Sequence, residues 1–229
     1  MFTLDQVVPW GRSLDEYRHM FALSDSDLGS LNILGCADGP ASFNAEATRR
    51  GDSVISCDPI YQFNVVEIRA RISETYEQII EQTRKHIDQF VWTSIKSVEE
   101  LAEMRMASMR MFLDDYEMGK AEGRYVEASL PSLPFVDGEF DLALCSHFLF
   151  LYTTQLGKDF HKAATRELWR VAREVRVYPL QTLAGKPSPY VELVAEEARA
   201  AGHEVQIQPV PYEFQRGATR MMRIRVQGR

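Results

Sequence analysis

The chain has 229 residues, of which 45% are hydrophobic and 26% charged, and these proportions are typical of one globular domain. Its net charge of −7 argues against a protein that binds the backbone of nucleic acids, because such proteins carry a basic face. No apolar run is long enough to span a membrane, and the N-terminus lacks the basic and apolar regions of a signal peptide.

The first part of the chain predicts strands that alternate with helices. A short helix over residues 13–23 precedes an apolar run at 31–34, which predicts the first strand. Residues 41–50 then predict a helix that ends at the capping residue Gly51. The run SVISCD predicts a second strand, which ends at Asp58.

Residues 62–123 interrupt this alternation with a wholly helical pattern. Apolar side chains recur at helical spacing from Ile72 to Phe90, and Ser97 with Glu100 forms a capping-box pattern that opens a second helix. That helix carries five methionines, whose flexible side chains suit an adaptable apolar pocket. We expect a helical cap inserted within a single domain of residues 1–229. An apolar face that joins two copies of the chain in a homodimer fits the same pattern.

The rest of the chain returns to alternating strands and helices. The turn FVDGEFD precedes a third buried run, LALCSHFLFLY, and a helix then leads to the β-rich run VRVYPL. A further helix ends at Gly202, and two strand-like runs follow at hairpin distance. The predicted fold class is α/β, a mainly parallel sheet with helices on both faces and an antiparallel closing hairpin.

Glycines directly follow the first predicted strand. Gly35 and Gly39 allow a ligand to approach the backbone, and the N-terminus of the following helix attracts negative charge. Ligands of open α/β sheets bind at the carboxyl ends of the strands, where Asp58 can accept both hydroxyls of a ribose. The turn has the pattern G-x-A-x-G and not the dinucleotide pattern G-x-G-x-x-G, so an ordinary turn with a surface aspartate is the alternative.

Two longer segments resemble the class I S-adenosylmethionine (SAM) dependent methyltransferases. The first is ILGCADGPASFNAEATRRGDSVISCD, and the second is LPSLPFVDGEFDLALCSHFLFLY. They match, in the family's order, the glycine turn after the first strand, the acid that ends the next strand, and the LPF and FD turn before an apolar strand. The resemblance covers residues 31–58 and 125–180 but not the helical segment. It implies a Rossmann-like fold and SAM as co-substrate.

The resemblance also implies a role for individual residues. It assigns the methionine part of SAM to Gly35, Ala37 and Gly39, and the ribose to Asp58. The adenine is assigned to Ser129 and Leu130. The methionine part together with the sulfonium is also assigned to Cys145, Ser146 and His147. The sequence departs from the family at three positions. Ile33 stands where the family has an acid, Ala37 replaces a glycine, and Ser129 replaces an aspartate. Ala37 is strained only if its φ angle is positive.

Two residues at strand ends are candidates for the chemistry. His147 is placed to act as a base if the methyl acceptor must lose a proton, and orientation of the backbone is its alternative role. Tyr178 offers an aromatic face to a sulfonium, and packing in the core is its alternative role. Arg12 and Tyr17 precede the first strand in a segment that either folds over SAM or forms a solvated helix with Tyr17 buried.

Three functions remain open at this level. The leading one is a methyltransferase for a small-molecule acceptor held under the helical cap. A cyclase of the same fold would consume SAM alone, forming azetidine-2-carboxylate and releasing methylthioadenosine, and a silent SAM-binding protein is the third. We expect no metal, since the three cysteines have no CxxC spacing and the acids near Asp114 have no histidine at ligand spacing. The cysteines indicate reduced thiols in a cytoplasmic protein.

Overall fold

A computed structural model describes residues 8–228, which form seven strands in one sheet and seven helices around it. Residues 1–7, where the sequence was searched for signal-peptide features, lie outside the described part. The strands are β1 (Asn32–Cys36), β2 (Ser53–Cys57), β3 (Tyr125–Val126), β4 (Phe140–Ser146), β5 (Ala172–Tyr178), β6 (Glu204–Pro209) and β7 (Arg220–Arg225). The helices are α1 (Leu14–Phe21), α2 (Asp25–Ser30), α3 (Phe43–Arg50), α4 (Val65–Lys85), α5 (Val98–Ala121), α6 (Lys158–Val171) and α7 (Val191–Ala200).

The sheet has the order β3-β2-β1-β4-β5-β7-β6, which confirms the predicted fold class. Strand β1 pairs in parallel with β2 on one side and β4 on the other, so that Cys36 lies opposite both Cys57 and Cys145. Strand β7 pairs antiparallel with β5 and β6 and forms the predicted closing hairpin. The carboxyl ends of β1, β2 and β4 therefore lie side by side at one edge.

Both faces of the sheet are covered, as the continuous apolar runs of its parallel strands require. Leu34, Ala143 and Val175 belong to one buried cluster, which includes Leu168 from α6 and Val194 from α7. On the other face, β-strand residues such as Ile33 and Leu142 belong to a second cluster with side chains of α1 and α3. These two layers hold the carboxyl edge of the sheet in a fixed position.

The segment between β2 and β3 is all helical, as predicted. Parallel neighbours such as β2 and β3 need a crossover connection, and α5 leads directly into β3. Helix α4 packs on α5 through Ile72, and Ser97 caps α5 by accepting a hydrogen bond from the backbone N–H of Glu100 at 3.1 Å. The sequence predicted neither the two-residue strand β3 nor the short helix α2.

Candidate functional site

A cavity of about 130 Å³ lies at the carboxyl edge of β1, β2 and β4, where open α/β sheets bind ligands. The residues on its polar side come from the turns after these strands and from the N-terminal segment. They are Arg12, Tyr17, Ala37, Asp38, Gly39, Asp58, Ser146 and His147. The predicted residues Arg12, Tyr17, Ala37, Gly39, Asp58, Ser146 and His147 thus meet at one site, together with Asp38, which the sequence analysis did not select.

The glycine turn after β1 is occupied by the protein's own carboxylate. Ala37 and Gly39 have φ angles of 58° and 55°, so the turn is left-handed on both sides of Asp38. This geometry folds the Asp38 side chain back over Gly35, where a Cβ atom would lie 1.8 Å from Asp38 Oδ2. Gly35 was expected to contact the ligand, but it lies outside the cavity lining and provides space for Asp38.

Asp38 is buried between two hydroxyl groups. Its Oδ1 accepts a hydrogen bond from the Tyr17 hydroxyl at 2.7 Å, and its Oδ2 accepts one from the Ser56 hydroxyl at 2.6 Å. Burial raises the pKa of Asp38 to about 7, the two hydroxyls oppose this shift, and the charge of Asp58 adds to it. A carboxyl group that titrates near neutral pH therefore lines the cavity.

Asp58 lies where the resemblance implied, directly after β2. Its Oδ2 accepts a hydrogen bond from the backbone N–H of Gly39 at 2.9 Å, and its Oδ1 accepts one from the N–H of Ile60 at 2.8 Å. Burial raises the pKa of Asp58 to about 6, against the effect of these two N–H groups. Asp58 thus fixes the glycine turn and also lines the cavity.

The N-terminal segment folds over the glycine turn. The backbone oxygen of Arg12 accepts a hydrogen bond from Ser42 N–H at 3.1 Å, and the Tyr17 ring stacks on Phe43 with centroids 4.2 Å apart. One guanidinium nitrogen of Arg12, Nη1, donates to the Trp10 carbonyl, whereas its buried Nε has no hydrogen-bond partner among residues 8–228. Burial and the charge of Arg105 lower the pKa of Arg12. Arg12 is therefore a cation with unused hydrogen-bonding capacity at the cavity wall.

A buried ion pair joins three elements behind this wall. Glu16 of α1 accepts hydrogen bonds from Arg105 of α5 at 2.5 and 2.6 Å and from the hydroxyl of Tyr212, which precedes β7, at 2.8 Å. Burial disfavours the ionised carboxylate, but Arg105 outweighs burial and lowers the pKa of Glu16 to about 2. The pair fixes α1, and with it Tyr17, relative to the helical segment.

His147 follows β4 with a φ angle of 50°, an uncommon conformation for a residue other than glycine. Its backbone N–H donates to the Tyr178 carbonyl at 2.7 Å, and its Nδ1 lies 3.0 Å from the Ser146 hydroxyl oxygen. Burial and the charges of Arg12 and Arg105 lower the pKa of His147 well below 6.5. The imidazole is therefore neutral at pH 7, and burial and the two arginines disfavour its protonation.

Tyr178 packs in the core and does not line the cavity. Its hydroxyl donates to the Ala218 carbonyl at 2.7 Å, and its ring lies edge to face with His147, with centroids 5.3 Å apart. The structure thus places Tyr178 beside His147 as a support. A direct contact with a sulfonium in this cavity has no support from the geometry.

Three further predicted residues lie outside the cavity lining. Cys145 is fully buried in the core, and burial raises the pKa of its thiol to about 12. Leu130 belongs to the same core cluster, because the chain turns inward after β3. Ser129 closes that turn, with its carbonyl accepting a hydrogen bond from Ser132 N–H at 3.1 Å.

The remaining residues of the cavity lining are mostly apolar, and the part that they line is called the apolar chamber here. Its lining residues come from the N-terminal segment, α4, α5 and the loops after α4, β4 and β5 and before β7; they are Val8, Trp10, Ile79, Thr83, Phe90, Leu101, Phe148, Leu151, Tyr152, Leu183, Phe214 and Gln215. None of these side chains is charged. The amide nitrogen of Gln215 donates to the carbonyls of Thr182 and Leu183, which leaves its oxygen as an acceptor. The five methionines of α5 do not line this chamber, contrary to the expectation from the sequence.

Two structural findings concern other kinds of site. Within residues 8–228, no three histidine, cysteine, aspartate or glutamate side chains are grouped so that they hold a metal ion. No helix in this part of the chain is both long and apolar enough to cross a membrane.

Solved structures of methyltransferases resemble the fold at low sequence identity. Magnesium protoporphyrin IX methyltransferase from Synechocystis with bound SAM is 11% identical, with a TM-score of 0.49 over 93% of this chain and 77% of that one. A putative SAM-dependent methyltransferase from Methanococcus maripaludis is 8% identical, with a TM-score of 0.47 over 94% and 84% of the two chains. These likenesses are too distant to carry activity or ligands over, so the fold class rests on the observed sheet order.

No family model matches the chain. One curated relative, the uncharacterized protein MJ0045 of Methanocaldococcus jannaschii, is 32% identical over 223 residues. The matched region covers 97% of this chain and 97% of the relative. The protein therefore belongs to the same family as MJ0045 of Methanocaldococcus jannaschii.

Proposed function

We propose that the protein is a SAM-dependent methyltransferase whose acceptor is a small molecule held under a cap formed by α4 and α5. The observation that carries this proposal is that one cavity is lined both by charged and polar groups, here called the charged side, and by the mostly apolar residues of the apolar chamber. The groups of the charged side lie at the carboxyl ends of β1, β2 and β4 and in the N-terminal segment, and His147 is adjacent in sequence to Phe148 of the apolar chamber.

The polar groups of the charged side suit SAM. Asp58 offers carboxylate oxygens to the ribose hydroxyls, and the turn from Ala37 to Gly39 brings backbone close to the ligand. Arg12 offers its guanidinium to the methionine carboxylate, since its Nε has no partner within the described chain. Ser129 and Leu130 lie outside this lining, so adenine recognition by them has the least support.

The apolar chamber suits an acceptor with an uncharged, apolar body. Phe90, Phe148 and Phe214 provide aromatic surface, and the oxygen of Gln215 provides one hydrogen-bond acceptor. A charged acceptor would lose its hydration there without gaining a charged partner from the chamber.

Neutral His147 is the proton acceptor that we assign for a hydroxyl substrate, in a transient role, because burial and the two arginines disfavour a stable imidazolium. The proton of the acceptor O–H passes to the imidazole, while the oxygen forms a bond to the methyl carbon and the sulfur keeps the electron pair of the broken C–S bond. SAM supplies the activated methyl group and leaves as S-adenosylhomocysteine. Arg12, Asp58 and the walls of the chamber hold the two reactants in line, which contributes to the rate by orientation.

The test is incubation of the purified protein with SAM, followed by mass spectrometry of the nucleoside products. For a transferase we expect intact SAM and a raised melting temperature, and S-adenosylhomocysteine only after a pool of small apolar hydroxyl compounds is added. Methylthioadenosine formed from SAM alone would instead identify a cyclase, and no change in melting temperature would show that the folded protein does not bind SAM. The Asp58→Ala variant serves as the matched control that should lose SAM.

A further inference from the structure

We infer that Asp38 is the counter-ion for the ammonium group in the amino-acid part of the ligand. The inference rests on the proposed function, because it takes SAM as the ligand, and it assigns a binding role to a residue outside the family's usual acid position. That position is occupied by Ile33, which is buried on β1 and carries no charge. Asp38 reaches the cavity from the adjacent turn instead.

The partners of Asp38 distinguish it from the other buried acids. Within residues 8–228, three acidic side chains are buried: Glu16, Asp38 and Asp115. Glu16 pairs with Arg105, and Asp115 pairs with Arg124 at 2.7 Å. Asp38 has only the neutral hydroxyls of its two neighbours and no cation among the described residues. A buried carboxylate without a cation is costly, so it is matched to a cation that arrives from outside.

The backbone around Asp38 is arranged to place this carboxyl group. Ala37 adopts a left-handed conformation that disfavours any residue with a Cβ atom, and Gly39 adopts the same conformation without strain. Gly35 leaves the space that Asp38 Oδ2 occupies. Together with the missing counter-ion, this strained turn supports a role in ligand binding and not in the core.

The charges in the cavity match an amino-acid zwitterion. Such a group needs one cation for its carboxylate and one anion for its ammonium. Among the described residues that line the cavity, Arg12 is the one arginine or lysine. Arg12 and Asp38 both act electrostatically on the Tyr17 hydroxyl. Asp58 is bound to the N–H groups of Gly39 and Ile60, next to the expected ribose. Asp38 is the remaining anion for the ammonium.

Among the described residues, no arginine or lysine is among the groups that shift the pKa of Asp38. The titratable groups that act on it or feel its charge are Tyr17 from α1, Cys36 from β1, Asp58 after β2, Tyr61 in the turn at 59–62 and Cys145 from β4. All of them are neutral or anionic at pH 7. A bound ammonium would therefore be the main positive charge beside this carboxylate.

The experiment compares three ligands by titration calorimetry at pH 7: SAM, S-adenosylhomocysteine and methylthioadenosine. The first two contain the ammonium group, and the third lacks the amino-acid part. For Asp38→Asn we expect the affinity for the first two ligands to fall ten-fold or more, with the affinity for methylthioadenosine within two-fold of wild type. Asp114→Asn, the same substitution at an exposed acid outside the cavity lining, should change all three affinities by less than three-fold.

Each outcome distinguishes the inference from the proposed function. An equal loss of all three ligands in Asp38→Asn would show that Asp38 only shapes the turn, and an unchanged affinity for SAM would show that it has no contact with the ammonium. A loss confined to SAM would assign Asp38 to the sulfonium and overturn the inference. A folded wild-type protein that binds none of the three ligands would overturn the proposed function itself.

Discussion

The left-handed conformation of Ala37 gives a prediction about stability that requires no ligand. With a φ angle of 58°, Ala37 holds its Cβ in a region that costs a non-glycine residue about 1–2 kcal/mol. Glycine removes this cost but adds about 0.5–1 kcal/mol of backbone entropy to the unfolded chain. We therefore expect Ala37→Gly to raise the free energy of unfolding by about 0.5–1 kcal/mol.

The assay is thermal unfolding by calorimetry, checked by denaturant titration. For a chain of this size, each kcal/mol shifts the melting temperature by roughly 2–4 °C, so we expect a rise of about 1–4 °C. Ala22→Gly is a matched control, because Ala22 has a φ angle of 48° at the C-cap of α1, is exposed and does not line the cavity. It should show a gain of similar size.

A lower melting temperature for Ala37→Gly would refute this reasoning. If Ala22→Gly gained stability while Ala37→Gly lost it, the methyl group of Ala37 would contribute packing that outweighs the strain. If both variants lost stability, the entropy of glycine would outweigh the left-handed cost in this protein.

Three further predictions concern the charged groups. Arg105→Met leaves Glu16 buried without its partner, so we expect denaturant titration to show a free energy of unfolding lower by about 3–5 kcal/mol. The double variant Glu16→Gln/Arg105→Met should recover most of this loss. Unchanged stability of Arg105→Met would contradict the prediction. His147→Asn, which tolerates the φ angle of 50°, should lower kcat by about 10²–10⁴-fold while calorimetry shows unchanged SAM affinity; full turnover would remove His147 as the base. Because Asp38 has a raised pKa of about 7 and a cation favours its ionised form, SAM binding should release a proton and tighten as pH rises. The ratio of SAM to methylthioadenosine affinity should rise roughly ten-fold from pH 5.5 to 7, and a constant ratio would contradict the account.

The sequence predicted the elements that depend on local pattern. Apolar runs bounded by glycine and aspartate identified β1, β2 and β4, and the acid that ends β2 is Asp58, as expected. Gly51 ends α3 in a left-handed conformation, as its position after a helical run indicates. These features depend on the backbone preferences of a few neighbouring residues, so they can be predicted directly from the sequence.

The direction of side chains at the site could not be predicted in the same way. Asp38 points over Gly35 only because the residues on both sides of it are left-handed, and an alanine in the sequence does not predict that conformation. Cys145 and Ser146 are adjacent on β4, yet the first packs in the core and the second lines the cavity. Tyr178 ends a strand as predicted, but its hydroxyl has a partner in the core at Ala218. These outcomes depend on contacts between distant parts of the chain.

The measurement that tests the central claim most directly is titration calorimetry of SAM into the wild-type protein and the Asp58→Ala variant. We predict saturable binding of one SAM per chain in the wild type and at least a ten-fold loss of affinity in the variant, with both proteins folded by circular dichroism. No binding to the folded wild type would contradict the claim that the cavity is a SAM site. Equal affinity in the two proteins would contradict the assignment of Asp58 to the ribose.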